Sequence, residues 1–120
     1  MHRGTALICD DDSILRSMVG RLLADEGWEV VASVETAIEA LDLARVLHPD
    51  LVIMDVSLRG LSGVEAVPEL VAGGAAVVVC SAFSGVADHA HQAGALATID
   101  KSDLASLVAV LAGLPVPTPA

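Results

Sequence analysis

Two apolar segments of this chain each end in aspartate, an arrangement that can bind a cation. Residues 6–9 are followed directly by Asp10-Asp11-Asp12, and residues 51–54 are followed directly by Asp55. Buried strands that stop at carboxylates can bring those carboxylates together at one edge of a sheet. Like charges held so close repel each other, so we expect a cation between them.

A hydroxyl and an ammonium follow two further apolar runs. The run at residues 75–80 ends at Ser81, and the run at residues 96–99 leads to Asp100-Lys101. Acids, a hydroxyl and an ammonium at the ends of successive strands predict a site that handles phosphate.

Apolar periodicity predicts strands and helices in alternation along the chain. Residues 13–26 show it best, with two rows of apolar side chains that recur every four residues. Pro68 lies inside the third predicted helix, so we expect that helix to be short, kinked, or to start later than the capping-box spacing of Ser62 and Glu65 indicates. The predicted strands cover residues 5–10, 29–34, 51–55, 75–80 and 96–99, and the predicted helices cover residues 13–26, 36–47, 62–72, 83–94 and 104–111.

Five strands that alternate with five helices through short loops predict a doubly wound α/β fold, a parallel sheet with helices on both faces. Ligands bind such sheets beyond the carboxyl ends of the strands, where the polar residues named above lie. Residues 1–113 form one predicted domain. The proline-rich residues 114–120 form a tail or the start of a linker.

Composition narrows the class of protein. The chain has 120 residues, 54% of them hydrophobic, which suits one domain with a sheet buried on both faces. No apolar stretch reaches the roughly 18 residues that span a membrane, and the first residues are too short for a signal peptide. We therefore expect a cytoplasmic protein without membrane contact.

Charge and cysteine placement exclude two further possibilities. A net charge of −10 repels nucleic acid, so we expect no direct binding of DNA or RNA. Cys9 and Cys80 lie in predicted core strands with another strand between them, about 10 Å apart. That distance is too large for a disulfide, so we predict two buried thiols.

From residue 5 to about residue 112 the chain resembles the receiver domains of two-component response regulators. The resemblance rests on four parts in this order: Asp10-Asp11, then Met54-Asp55 with the downstream Gly63, then Ser81-Ala82, then Lys101. It implies a flavodoxin-like (βα)5 fold with the strand order 2-1-3-4-5.

The resemblance also implies a phosphorylation site that depends on Mg²⁺. Asp55 is the phosphoacceptor and a metal ligand, Asp11 is a direct ligand, and Asp10 binds directly or through water. The backbone carbonyl of Ser57 completes the protein ligands. The ion would neutralise oxygens of the donor that otherwise repel an aspartate nucleophile.

Two more residues have roles by resemblance. Lys101 pairs with one phosphoryl oxygen as a compact charge, and Ser81 donates a hydrogen bond to another. Each has a simpler interpretation, since a lone lysine is usually a surface residue and a strand-end hydroxyl can satisfy its own turn. The triplet Asp10–Asp12 could likewise be a solvated turn, and we assign Asp12 to a helix cap rather than to metal. Arg16 is expected to form a surface ion pair.

Some positions depart from the family pattern. Thr98 stands where receivers commonly carry an aromatic residue that changes rotamer, which puts aromatic switching in question. Ser102 stands where a cis-proline is usual, and we predict a trans Lys101–Ser102 bond because a cis bond there costs about 3 kcal/mol. Arg59 replaces a frequent proline, and we expect Phe83 at the mouth of the site.

We expect a signalling domain that a sensor histidine kinase or a phosphotransfer protein phosphorylates. The surface around residues 84–112 would then change its affinity for an output protein or domain, and a homodimer is also possible. The alternative is a degenerate receiver that binds partners without phosphorylation. An aspartyl phosphatase would need an acid two residues after its nucleophile, where this chain has Ser57, so we expect no multiple-turnover enzyme.

Overall fold

The computed structural model describes residues 3–56, 63–81 and 87–114. Strands and helices alternate in these residues, as predicted, and apart from α4 their ends differ from the predicted ones by no more than one residue. The strands are β1 (Gly4–Cys9), β2 (Trp28–Val34), β3 (Leu51–Asp55), β4 (Ala76–Ser81) and β5 (Ala97–Asp100). The helices are α1 (Ser13–Asp25), α2 (Ala37–Leu47), α3 (Gly63–Ala72), α4 (Ala87–Gln92) and α5 (Ala105–Ala112).

The strands form one parallel sheet in the order β2-β1-β3-β4-β5, which confirms the predicted topology. Cys9 pairs with Met54, and Ser81 pairs with Asp100. This register keeps the carboxyl ends of neighbouring strands level with each other. The residues that follow those ends therefore share one edge of the sheet.

A hydrophobic core covers each face of the sheet. Alternate residues of a strand point to opposite faces, so Leu7 and Cys9 pack toward α2 and α3 while Ile8 packs toward α1 and α5. Cys80 lies in the second core, on the opposite side of the sheet from Cys9. Both thiols are buried and free, which confirms the prediction of no disulfide.

Helix α1 begins beside the acidic triplet. Asp12 is its N-cap, and the Asp12 carboxylate accepts hydrogen bonds from two N–H groups of the first turn at 2.9 and 3.3 Å. The assignment of Asp12 to a helix cap is confirmed. Val19 and Leu23 face the core, whereas Ile14 and Met18 remain 71% and 50% exposed. The apolar row that begins at Ile14 is therefore exposed at Ile14 and Met18, while Leu22 at its end packs against the core.

Helix α3 spans Gly63–Ala72 and contains Pro68 in its interior. The expectation of a late start is wrong, because the helix begins directly after Ser62. Its first residue passes very close to the end of β3. A Cβ on Gly63 would collide with the Asp55 carbonyl oxygen and would lie 2.8 Å from the Cα of Val56. A glycine is required here because any side chain would push α3 away from the site.

Helix α4 spans Ala87–Gln92 and so ends two residues before the predicted position 94. Residues 82–86 lie outside the described part of the chain. Ala90, from the thin apolar stripe predicted for this helix, is its buried residue. One short row of small side chains gives this helix little area to pack.

The chain beyond α5 is described as far as Leu114, which is buried in the core beside α1 and α5. The remainder of the predicted tail lies outside the described residues. Across residues 3–56, 63–81 and 87–114, no helix is long and apolar enough to cross a membrane.

Candidate acidic site at the carboxyl edge of the sheet

Four polar side chains lie at the carboxyl edge of the sheet. Asp10 follows β1, Asp55 ends β3, Ser81 ends β4 and Lys101 follows β5. Asp10, Asp55 and Ser81 are only 6%, 1% and 3% exposed. Polar groups buried to this extent need partners, so this edge is built for a specific set of contacts.

Three carboxylates lie close enough to hold one metal ion. One oxygen from each of Asp10, Asp11 and Asp55 lies within 4.8 Å of the other two. Asp11 is exposed while the other two are buried, so the group opens to solvent on one side. Carboxylate oxygens are hard ligands that suit Mg²⁺ or Ca²⁺, so the donor set fits the predicted ion.

The buried acids repel each other. Burial raises the pKa of the Asp10 carboxyl above its usual value, and the nearby charge of Asp55 adds to this shift. The Asp12 N–H, which donates to Asp10 Oδ1 at 2.9 Å, opposes it. Two carboxylates in this position favour a positive charge between them.

Lys101 supplies such a charge. Its Nζ lies 2.8 Å from Asp55 Oδ2 and 3.2 Å from Asp10 Oδ2, and its side chain is 15% exposed. Burial alone would lower the pKa of the ammonium, but the hydrogen bonds and charges of the two carboxylates raise it overall. Lys101 is also the single lysine of the chain. The structure therefore places the predicted lysine in direct contact with two of the predicted acids.

Ser81 is held beside this group by the main chain. The Lys101 N–H donates to the Ser81 carbonyl oxygen at 3.0 Å, which fixes the ends of β4 and β5 relative to each other. The Lys101–Ser102 peptide bond is trans, as predicted. Ser57, whose carbonyl is a predicted metal ligand, lies outside the described residues, as do Arg59 and Phe83.

Arg16 belongs to the site, although the sequence indicated only a surface ion pair. Its Nη1 donates to the Asp10 carbonyl oxygen at 2.8 Å, and its Nη2 lies 3.8 Å from Glu35 Oε1. The side chain is 17% exposed, so it lies largely beneath the acidic turn. Arg16 follows the cap residue Asp12 by four positions, and this helical spacing was the available signal that it returns to the triplet.

A doubly wound sheet with three carboxylates and a lysine at its carboxyl edge defines a flavodoxin-like domain with a charged strand-end site. The family model for the response regulator receiver domain matches residues 6–112. The chain belongs to this family, which confirms the resemblance found in its motifs.

Curated relatives include proteins with different outputs. The transcriptional regulatory protein PdtaR of Mycobacterium tuberculosis is 37% identical over 98 residues, which are 79% of this chain and 48% of PdtaR. The chemotaxis protein CheY of Listeria monocytogenes is 34% identical over 79 residues, which are 64% of this chain and 66% of CheY. The chain thus spans about half the length of PdtaR. What these relatives share with it is the receiver domain.

Solved structures show the same fold. A LuxR-family two-component response regulator from Aurantimonas sp. SI85-9A1 is 35% identical with a TM-score of 0.81, covering 97% of this chain and 90% of that one. The receiver domain of the putative response regulator NarL from Mycobacterium tuberculosis has a TM-score of 0.82 at 20% identity, covering 95% of this chain and all of that one.

Proposed function

We propose that this chain is a phosphoacceptor signalling domain in which Asp55 receives a phosphoryl group from a sensor histidine kinase or a phosphotransfer protein. The observation that carries the proposal is the position of the Lys101 ammonium, which contacts both Asp55 and Asp10 at an edge with three carboxylates. A structural ion pair needs one carboxylate, whereas here two acids contact one lysine and a third lies beside them, which leaves negative charge for a further cation.

The transfer step follows from this geometry. A carboxylate oxygen of Asp55 attacks the phosphorus of a phosphohistidine. The new P–O bond forms as the P–N bond breaks, and the imidazole leaves with a proton taken up on its nitrogen. The Lys101 ammonium, at 2.8 Å from Asp55 Oδ2, stands where it can pair with a phosphoryl oxygen on that carboxylate.

Asp10, Asp11 and Asp55 would hold Mg²⁺, with the carbonyl of Ser57 as the predicted further ligand. The bound ion would supply charge neutralisation for the phosphoryl oxygens. Ser81 would donate a hydrogen bond to one of those oxygens. Transfer then depends on positioning and charge, as in phosphoryl transfer generally.

The phosphorylated state would act through partner contacts rather than through turnover of a substrate. Lys101 begins the loop that leads from β5 into α5, so a change in its contacts would reach α5 directly. The proposed contact surface covers residues 84–112. We propose this surface as the contact for an output protein or domain, or for a second copy of the chain. A cytoplasmic location is part of the same proposal.

The test is phosphorylation in vitro. Incubation with Mg²⁺ and acetyl phosphate should add one phosphoryl group to the intact mass, and chelation of Mg²⁺ should prevent the addition. Asp55→Asn should abolish it, whereas Asp12→Asn, which keeps the helix cap in the same triplet, should leave it unchanged. Equal labelling of wild type and Asp55→Asn would overturn the assignment.

One observation favours the alternative of a phosphorylation-independent interaction module. Thr98, half-buried on β5 beside Val79, occupies the position expected for a switching aromatic side chain. Partner capture with phosphorylated and unphosphorylated protein separates the two functions. Equal capture would favour the interaction module.

A further inference from the structure

The loop between β5 and α5 contains a hydrogen-bonded turn on both sides of Lys101. Asp100 Oδ1 accepts from the Ser102 N–H at 2.8 Å and from the Ser102 hydroxyl at 2.7 Å. The Asp103 N–H donates to the Asp100 carbonyl oxygen at 2.9 Å. The two residues that flank Lys101 are therefore joined to each other across it.

The main chain of Lys101 is fixed as well. Its N–H donates to the Ser81 carbonyl oxygen, so the residue is bound to β4 on one side and enclosed by the Asp100–Ser102 turn on the other. A lysine side chain has four rotatable bonds and loses much conformational freedom when it is held in one place. Because the main chain of Lys101 is fixed, the ammonium samples a smaller volume, which favours its contact with Asp55.

Helix capping does not account for the contacts of Asp100. The N-cap position of α5 is occupied by Leu104, which makes no side-chain capping bond. Asp103, the next acid in the loop, accepts from the Ser106 hydroxyl at 2.7 Å inside the first turn of that helix. The Asp103 side chain thus binds a residue of α5, whereas the Asp100 carboxylate accepts both of its hydrogen bonds from Ser102, the residue after Lys101.

We propose that Asp100 and Ser102 are positioning residues that hold the Lys101 ammonium at Asp55 for phosphoryl transfer. The inference rests on the proposed function of Asp55. A proline at position 102 would lack the N–H that Asp100 accepts from, so this turn depends on a residue such as serine there. The same hydrogen bonds lower the pKa of the Asp100 carboxyl, so it accepts as a carboxylate at neutral pH.

The test uses four variants of the full chain. Asp100→Ala removes both hydrogen bonds, Ser102→Ala removes one, and Asp100→Asn keeps an acceptor oxygen while removing the charge. Asp103→Ala is the matched control, because it removes an exposed acid of the same loop that serves α5. Thermal unfolding of each variant establishes that the fold is retained.

Two measurements report on each variant. The first is the rate of transfer from acetyl phosphate in Mg²⁺. The second is the rate at which an amine-acetylating reagent modifies Lys101, which peptide mass mapping isolates because the chain has one lysine. An ammonium held between two carboxylates reacts slowly, and this second measurement does not depend on phosphorylation.

Asp100→Ala should slow transfer about tenfold and speed acetylation about fivefold, since misplacing a catalytic charge costs rate steeply. Ser102→Ala should fall between it and wild type, while Asp100→Asn and Asp103→Ala should match wild type within about twofold. The inference would be overturned if Lys101 were acetylated in Asp100→Ala at the wild-type rate. It would also be overturned if Asp100→Ala and Asp103→Ala changed the two rates equally. If wild type accepts no phosphoryl group, the proposed function fails, and acetylation alone still decides whether the turn positions Lys101.

Discussion

At the scale of single residues, the site is an arrangement of charges that stabilise one another. The ammonium of Lys101 offsets the repulsion between Asp10 and Asp55, and the guanidinium of Arg16 holds the backbone from which the acidic turn starts. These contacts lie in a partly buried region, where charge interactions are stronger than in water. Removing one of them therefore changes both stability and ion binding.

Arg16→Ala should weaken Mg²⁺ binding several-fold and lower the free energy of unfolding by about 1–2 kcal/mol, because the Asp10 carbonyl loses a charge-assisted hydrogen bond. Arg16→Lys should recover part of the stability but less of the ion binding, since a lysine lacks the planar fork. Mg²⁺ titration and chemical denaturation measure the two quantities. Arg21→Ala, an exposed arginine on the same helix, is the control, and equal losses in both variants would refute a role for Arg16.

The two thiols beside the site predict a pH dependence. Burial raises the pKa of Cys9 and of Cys80 to about 12. The folded chain keeps both protons between about pH 9 and 12 while the unfolded chain loses them, so this contribution is complete below pH 9 and declines as pH rises. The decline should be about 1.4 kcal/mol per thiol and pH unit.

Denaturation at pH 8 and pH 10 measures this effect, and a Cys9→Ala, Cys80→Ala double variant should lose much less stability between the two pH values. At pH 8 a thiol reagent should modify the native protein slowly and the denatured protein at once. Rapid modification of both native thiols would contradict their burial.

At the scale of elements, the ends of strands and helices decide where the site residues lie. Helix α3 begins against the carbonyl of Asp55, and α1 begins at the cap residue Asp12. The exposed side chain of Ile14 lies two residues after the cap residue Asp12, in the first turn of α1. Each of these features predicts the effect of a substitution outside the charged group.

Gly63→Ala should destabilise the protein by about 1–3 kcal/mol, because its Cβ would overlap the end of β3 and displace either α3 or Asp55. Gly73→Ala, at the other end of the same helix, places its Cβ at an ordinary 3.5 Å from the Leu70 carbonyl oxygen and serves as the control. Thermal unfolding compares the two. A tolerated Gly63→Ala would mean that the close approach is dispensable.

Ile14→Ala and Met18→Ala should slow transfer from a protein donor by about tenfold, while transfer from acetyl phosphate stays unchanged. The reason is that these apolar side chains are exposed on the helix that starts at the acidic triplet, so they are available for a docking partner. Val46→Ala on α2, with the side chain 74% exposed, is the control. Loss of transfer from both donors would instead indicate damage to the site itself.

At the scale of the whole molecule, the fold brings the carboxylates of Asp10, Asp11 and Asp55 together, and the single positive charge of Lys101 offsets only part of their negative charge. Because Asp55 lies far along the chain from the adjacent pair Asp10-Asp11, the unfolded chain does not hold all three acids together. A cation that binds this group therefore binds the folded state alone and should raise its stability by mass action.

Addition of Mg²⁺ should raise the melting temperature, with a gain of about 2.7 kcal/mol at a hundred times the dissociation constant. Asp11→Asn should reduce this gain, whereas Asp12→Asn should keep it, because Asp12 caps α1 and is not predicted to bind metal. Thermal melts with Mg²⁺ and with a chelator make the comparison. An equal gain in both variants would place the ion elsewhere.

Much of this molecule follows from local patterns. Apolar runs and helical spacing predicted the elements, and the resemblance to receiver domains implied the strand order. The ends of the runs predicted that Asp10, Asp55, Ser81 and Lys101 share an edge. These predictions succeed because the carboxyl ends of all strands in a parallel sheet lie at the same edge of the sheet. The end of helix α4 was predicted two residues too late because its stripe of small side chains gives a weak periodic signal.

By itself, the sequence determined the family, the fold and the polar residues at the strand ends, because these depend on residue type and periodic order. The tertiary structure alone decided that Arg16 turns under the acidic triplet and that Asp100 closes on Ser102 across Lys101. It also decided that Ile14 and Met18 of α1 are exposed to solvent. Such contacts depend on how helices pack and where loops turn, and several arrangements of the same local sequence satisfy the same pattern.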